Sequence, residues 1–335
     1  MFYRISFIFA ALIILFAALY IGATIGEVSL SFDIVGKTIF NKVIGTDYHL
    51  TLYQETLVWT HRLPRAIVAA CCGASLALCG AILQSLLRNP LVDPYILGIS
   101  AGASTGAVLV ALLGIGAGFI SLSLGAFIGS LAAFIFVALL ALRAGRTATA
   151  IILSGIAGAQ LFTAITVIIV SQSTPQASQA IMFWLLGNLS RVRLPDIIFA
   201  FPITLIGFII SLLFARTLDA FAFGTEAAAS LGISIKRTYI ILIGTCTLLT
   251  ATMVSLVGVI GFVGLVIPHA ARFIVGVRHG LLLPACALTG AIFMIACDIV
   301  SRVIIPGQVL PIGVITALVG APAFALLLTK KKVNG

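Results

Sequence analysis

Stretches of about 20 mostly apolar residues, the length of a bilayer-crossing helix, recur ten times in this chain, near 5–26, 64–87, 94–113, 119–142, 148–171, 196–215, 236–257, 262–277, 282–303 and 311–329. Hydrocarbon offers no partner for an open backbone N–H or C=O, so a chain built this way is confined to helices that satisfy their own hydrogen bonds. The expected fold is an all-α membrane protein, one polytopic bundle of about ten transmembrane helices filling residues 1–335. Of the 335 residues, 61% are hydrophobic and 8% charged, with a mean hydropathy of +1.27, against roughly 25% charged in a soluble domain. The first run, Ile5 to Ile25, has only Arg4 as basic flank and is followed by equally apolar segments, so it reads as a retained span and not a signal peptide.

An even number of spans places both termini on one side, and Lys330, Lys331 and Lys332 assign that side to the cytoplasm. Alternating loops then carry twelve bases and three acids inside, against seven bases and six acids outside, a net +9 and +1. Arg191 and Arg193, placed outside, run against the rule. The net charge of +10 is thus assigned to loops facing anionic lipid, not to nucleic acid. The longest polar stretch, Glu27 to His61, and a short amphipathic piece, Gln176 to Gly187, belong to the outer surface.

Three local patterns stand out. At Arg88-Asn89-Pro90-Leu91-Val92-Asp93-Pro94 a helix ends at Pro90 and another begins at once, with Asp93 as its cap and Pro94 at its first position. Between Leu218 and Gly232, LDAFAFGTEAAASLG predicts a helical elbow: Asp219 caps a short helix, Gly224 breaks it, and a second helix runs from Glu226 to its stop at Gly232. Basic neighbours, Arg216, Lys236 and Arg237, assign the elbow to the cytoplasmic side. Thirdly, Gly, Ala and Ser cluster within the spans, as in GISAGASTGA (Gly98 to Ala107) and LSGIAGA (Leu153 to Ala159), which suits either close helix packing or the lining of a path.

Chemistry is thinly represented. Cys71, Cys72, Cys79, Cys246, Cys286 and Cys297 all fall in apolar runs without a CxxC pair and read as packing residues. His49, His61, His269 and His279 form no ligand set. There is no phosphate-binding G-x-x-x-x-G-K-[ST] loop, so no energy source is encoded. An ion-coupled carrier calls for intramembrane carboxylates; the one candidate, Asp298, sits at helical spacing from Arg302 and reads as half of an ion pair. An enzyme calls for a nucleophile with its base or a metal site, and the chain has neither.

The segments HRLPRAIVAACCGASLALCGAILQSLLRNPLVDPYILGISAGASTGA (His61 to Ala107), GTEAAASLGI (Gly224 to Ile233), GVIGFVGLVIPHAARFIVGVRHG (Gly258 to Gly280) and LPIGVITALVGAPAFALLL (Leu310 to Leu328) resemble the permease subunits of binding-protein-dependent ABC importers for iron-siderophores, haem and vitamin B12, the FecCD type. The likeness covers nearly the whole chain. It implies the type II ABC importer permease fold in a bacterial inner membrane, and a non-enzymatic subunit. Its implied partners are a second permease copy in a homodimer, two cytoplasmic ATPase subunits that carry the ATP and Mg, and a periplasmic substrate-binding protein. On the same ground Leu218, Asp219, Gly224, Glu226, Ala227, Ala228, Leu231 and Gly232 are expected to contact the ATPase, and Arg62, Arg65 and Arg302 to receive carboxylates of the binding protein. Asn89 and Leu91 are expected to form a cytoplasmic gate. Ser154, Gly155, Thr163, Thr166, Gly313, Thr316 and Gly320 are expected along the translocation path. The implied cargo is a metal chelate, iron-siderophore or haem, with cobalamin or an oxyanion such as molybdate as alternatives; an ion-coupled secondary transporter is the alternative of another class.

Overall fold

The computed structural model describes residues 2–26, 28, 30–114, 121–145 and 147–331. They form α1 (Phe2–Thr24), α2 (Phe32–Ile44), α3 (Leu52–Thr56), α4 (Leu63–Leu86), α5 (Ile99–Leu113), α6 (Leu122–Arg143), α7 (Ala148–Ser171), α8 (Pro175–Leu185), α9 (Leu194–Leu213), α10 (Ala215–Phe221), α11 (Thr225–Ser230), α12 (Ile235–Val257), α13 (Val263–Val275), α14 (His279–Val303) and α15 (Ile312–Lys331). Each of the ten apolar stretches contains one long helix. Among the described residues, seven helices are long and apolar enough to cross a membrane, and α5, α13 and α15 are shorter apolar helices.

Helix α4 is the mast of the bundle. It is buried along almost its whole length and packs against α1, α9, α12, α13 and α14, while α5, α6 and α7 pack on one another and meet the rest of the bundle through α12. Close approach replaces hydrophobic drive where the surroundings are as apolar as the side chains. Gly73 of α4 and Gly290 of α14 touch backbone to backbone, and so do Gly102 and Gly106 of α5 with Gly129 and Gly125 of α6; a methyl group at any of these would overlap a carbonyl oxygen or a side chain opposite. The outward faces stay apolar, with Phe9, Ile13 and Phe16 on α1 and Ile198, Phe199 and Leu213 on α9 exposed, the pattern of a surface solvated by lipid. All six cysteines are buried as free thiols.

Two local expectations are modified. Asp93 does cap the chain after the turn, its Oδ1 accepting from the Tyr95 N–H at 2.8 Å. The turn it opens is a short 3-10 segment, Pro94–Leu97, which Gly98 ends at φ 75° before α5 begins. The first helix of the elbow starts at Ala215, not at Asp219, because α9 runs into it through Phe214 with almost no break. Asp219 therefore lies inside α10, where it has no helix start of its own to cap.

Candidate functional site

Chemistry-bearing side chains gather at the two ends of the bundle. At the end that carries α10 and α11, the elbow is rooted by Leu218 and Phe221, both fully buried, with the Phe221 ring 5.8 Å from that of Tyr239. Gly224 takes φ 112° and Gly232 φ 80°, conformations that a side chain disfavours. These two breaks define α11 as a separate short helix.

The elbow residues singled out in the sequence divide by direction. Leu218, Gly224 and Ala228 face inward, Ala227 is half-buried, and Glu226, Leu231 and Gly232 are exposed. Phe223, which the sequence reading passed over, is 81% exposed and Leu231 is 71% exposed. Two large apolar side chains standing free on a short rigid element make a knob suited to a partner's cleft.

Asp219 points back into the bundle. Its Oδ1 accepts from the backbone N–H of His279 at 2.8 Å and faces His279 Nδ1 at 2.7 Å. That N–H belongs to the first turn of α14, where helix donors lack an internal partner and a carboxylate is favoured by the helix dipole. So Asp219 caps a helix, but α14 and not its own.

The turn between α4 and α5 lies beside the elbow. Arg88 adopts φ 47°, and its Nη1 lies against Gly224. Asn89 is half-buried, its Oδ1 accepting from the Leu91 N–H at 3.0 Å, while Leu91 is exposed. The last turn of α4 is tied down on three sides. The Tyr239 hydroxyl donates to Leu86 O at 2.9 Å. Gln84 Nε2 donates to Gly264 O at 3.0 Å, and Gln84 Oε1 accepts from Arg272 Nη1 at 2.6 Å.

At the opposite end, Arg62, Arg65 and Arg302 come together from distant parts of the chain. They line one pocket of about 300 Å³ together with Tyr53, His61 and Ser190 and with apolar residues such as Leu57 and Val309. Their heads are already engaged. Arg62, 6% exposed, donates to Thr24 O at 2.6 Å and to Val28 O. Arg302, 5% exposed, donates to Ile25 O at 2.7 Å and Gly22 O at 3.0 Å. Arg65 donates to Asp298 Oδ1 at 2.7 Å and to Ser190 Oγ at 3.2 Å. Asp298 is fully buried, and its Oδ2 lies 2.9 Å from Arg302 Nη2, an ionic contact off the donor direction. Asp298 is thus half of an ion pair, as its spacing from Arg302 suggested, with Arg65 as a second cation. Arg191 and Arg193, following directly after Ser190, are exposed.

The residues expected along a path are mostly turned into helix contacts. Ser154 and Gly155 are buried, Gly155 against Ile96 O, and Thr166 shares a 2.9 Å hydrogen bond with Thr105 of α5. Thr316 is fully buried, and Gly320 packs on Phe262. Thr163 is exposed. Gly313 is half-buried and joins Leu186, Val314, Ala317, Leu318, Ala321 and Pro322 around a shallow apolar groove of about 460 Å³ on α15.

Known proteins agree with this arrangement over nearly the whole chain. The profile of the FecCD transport family matches residues 12–330. The chain is 41% identical, over 84% of its length and 75% of the relative's, to the cobalamin import system permease protein BtuC of Halobacterium salinarum. It is 35% identical, over 87% of its length and 91% of the relative's, to the Fe(3+) dicitrate transport system permease protein FecD of Escherichia coli. A solved inward-facing structure of a metal-chelate type ABC transporter superposes with a TM-score of 0.84 at 31% identity, covering 97% of this chain and 99% of that one. A multi-pass helical bundle with this family's motifs in place from end to end is a transport permease: the chain belongs to the FecCD transport family.

Proposed function

We propose that this chain is the membrane-spanning half of a binding-protein-dependent ABC importer that brings a metal chelate, iron-siderophore or haem, into a bacterial cell. The observation that carries the reading is the elbow: a pair of short helices anchored by Leu218 and Phe221 and offering Phe223, Glu226 and Leu231 to a partner. That partner is an ATPase subunit holding ATP and Mg, since this chain has no phosphate-binding loop of its own. The elbow end faces the cytoplasm together with both termini, and the end with Arg65, Arg191 and Arg193 faces outward to receive the binding protein.

Two copies pair as a homodimer around the path, with the groove on α15 and the exposed apolar and small residues of α7 turned toward the axis. A bulky chelate needs a wide passage with few fixed charges, and α7 carries none. Cobalamin is the alternative cargo, favoured by the 41% identity to a cobalamin permease; an oxyanion such as molybdate is a further alternative within the same importer class.

The test is reconstitution with an ATPase subunit and a binding protein from the same organism. Ferric siderophore, haem, cobalamin and molybdate are each offered, and stimulation of ATP hydrolysis is measured. The reading expects one metal chelate to stimulate through its binding protein; ATP-independent uptake driven by an ion gradient would overturn it.

A further inference from the structure

His279 links the elbow to the gate turn. Its Nδ1 lies 2.7 Å from Asp219 Oδ1 in α10, and its Nε2 lies 2.6 Å from Ser85 Oγ in the last turn of α4. A carboxylate only accepts, so Nδ1 carries the proton in this pair and Nε2 is left facing the serine hydroxyl. Ser85, in the last turn of α4, lies four residues before Asn89 and six before Leu91. The chain Asp219, His279, Ser85 thus runs from α10, which leads into the partner-facing knob, through the start of α14, to the helix that ends in the turn.

A second feature makes this chain reversible. Ser85 Oγ also lies 2.9 Å from Ala81 O. A serine hydroxyl has one proton, so it serves either His279 Nε2 or the Ala81 carbonyl at a given moment. When the elbow and α14 withdraw, the hydroxyl keeps the Ala81 carbonyl as its partner, and the His279 Nε2 acceptor is the one group left to be satisfied anew. A contact that one hydroxyl can make or give up is local, the kind of element that two sites can bias jointly.

We infer that Asp219, His279 and Ser85 form a positioning relay that transmits displacement of the elbow to the Asn89–Leu91 turn, so that events at the partner ATPase set the width of the passage. The inference rests on the reading of the elbow as the ATPase contact. The three residues touch no cargo and act through the helices they join.

The experiment uses the reconstituted transporter with Ser85→Ala, Ser85→Thr and His279→Gln, beside wild type. Co-purification of the ATPase is scored first. Then the ratio of chelate imported to ATP hydrolysed is measured, along with the ATP-dependent change in labelling of a cysteine at Leu91 in a background lacking the six native cysteines. Ser85→Ala is expected to retain the ATPase, to lower the import ratio roughly tenfold, the scale of a typical coupling energy, and to flatten the labelling response. Ser85→Thr, which keeps the hydroxyl, is expected to restore both. His279→Gln, whose amide can still donate to Asp219 and accept from Ser85, should fall between wild type and Ser85→Ala. Wild-type ratio and labelling in Ser85→Ala would overturn the relay while leaving the elbow's role intact. Failure of the wild-type chain to retain any ATPase would instead overturn the reading beneath it.

Discussion

Arg65 Nε lies 2.7 Å from Asp298 Oδ1 although 233 positions separate the two residues. The pair joins the first turn of α4 to the far end of α14, and Arg302 on the other carboxylate oxygen brings in the exit of α1 through its bonds to Gly22 and Ile25. Charges this deep persist because each guanidinium also meets carbonyl or hydroxyl oxygens, which offsets its desolvation.

Removing the carboxylate should be costly. Asp298→Ala leaves two buried cations without their counter-charge, a change on the order of 3–5 kcal/mol for a broken buried pair. The expected result is a lower unfolding temperature of the detergent-solubilised protein, with Asp298→Asn intermediate because its amide oxygen still accepts from Arg65. An unchanged midpoint in Asp298→Ala would show that the cluster contributes nothing.

The arginines should separate in a docking assay. Arg62 and Arg302 spend their donors on backbone carbonyls, so Arg62→Ala and Arg302→Ala are expected to lower stability first. Arg65→Ala strips the buried Asp298 of a partner and is expected to lower stability with them. Arg191→Ala and Arg193→Ala alter charge at an exposed rim, where the association rate and its salt dependence respond. Surface plasmon resonance with the binding protein at low and moderate salt checks this. Equal kinetics for the double variant and wild type would leave Arg191 and Arg193 without a docking role.

The elbow should behave as a knob. Phe223→Ala and Glu226→Arg are each expected to reduce ATPase co-purification while leaving the unfolding temperature within the error of wild type, since both side chains are exposed. A hot-spot aromatic typically contributes about 2 kcal/mol or more to an interface, so a loss of at least about tenfold in affinity is expected for Phe223→Ala. Full recovery of the ATPase with both variants would move the contact elsewhere.

Much of the architecture could be read from the chain because each span declares itself by length and apolarity, and because Gly224 and Gly232 punctuate the elbow. Directions within a helix could not. In α7 and α15 the faces turned toward protein and toward lipid or a path are both apolar, so no periodic contrast reveals that Ser154, Thr166, Thr316 and Gly320 turn inward while Thr163 and Leu318 turn out. Long-range pairs were equally silent: Asp219 looked like a local cap, and its tie to His279 exists only because α10 and α14 meet in space. Phe223 was hidden for another reason, since an aromatic in an apolar chain is unremarkable until its exposure is known.

Close helix contacts should resist even small additions. Gly106→Val places a branched side chain where α5 meets the backbone of α6 at Gly125, and overpacking of this kind costs about 1–3 kcal/mol, more where backbone must shift. A lower unfolding temperature is expected, with Gly244→Ala, at an open position, as the neutral control. If both behave as wild type, the α5–α6 contact is looser than described.

The central claim, that this permease moves a metal chelate under the control of a partner ATPase, is tested most directly by uptake into proteoliposomes. The permease, its ATPase and its binding protein loaded with radiolabelled chelate are combined, with ATP supplied on the elbow side. The expected result is ATP-dependent accumulation that Phe223→Ala and Glu226→Arg abolish and that a non-hydrolysable nucleotide does not support. Accumulation that proceeds without ATP, or that persists unchanged in both elbow variants, would contradict the account.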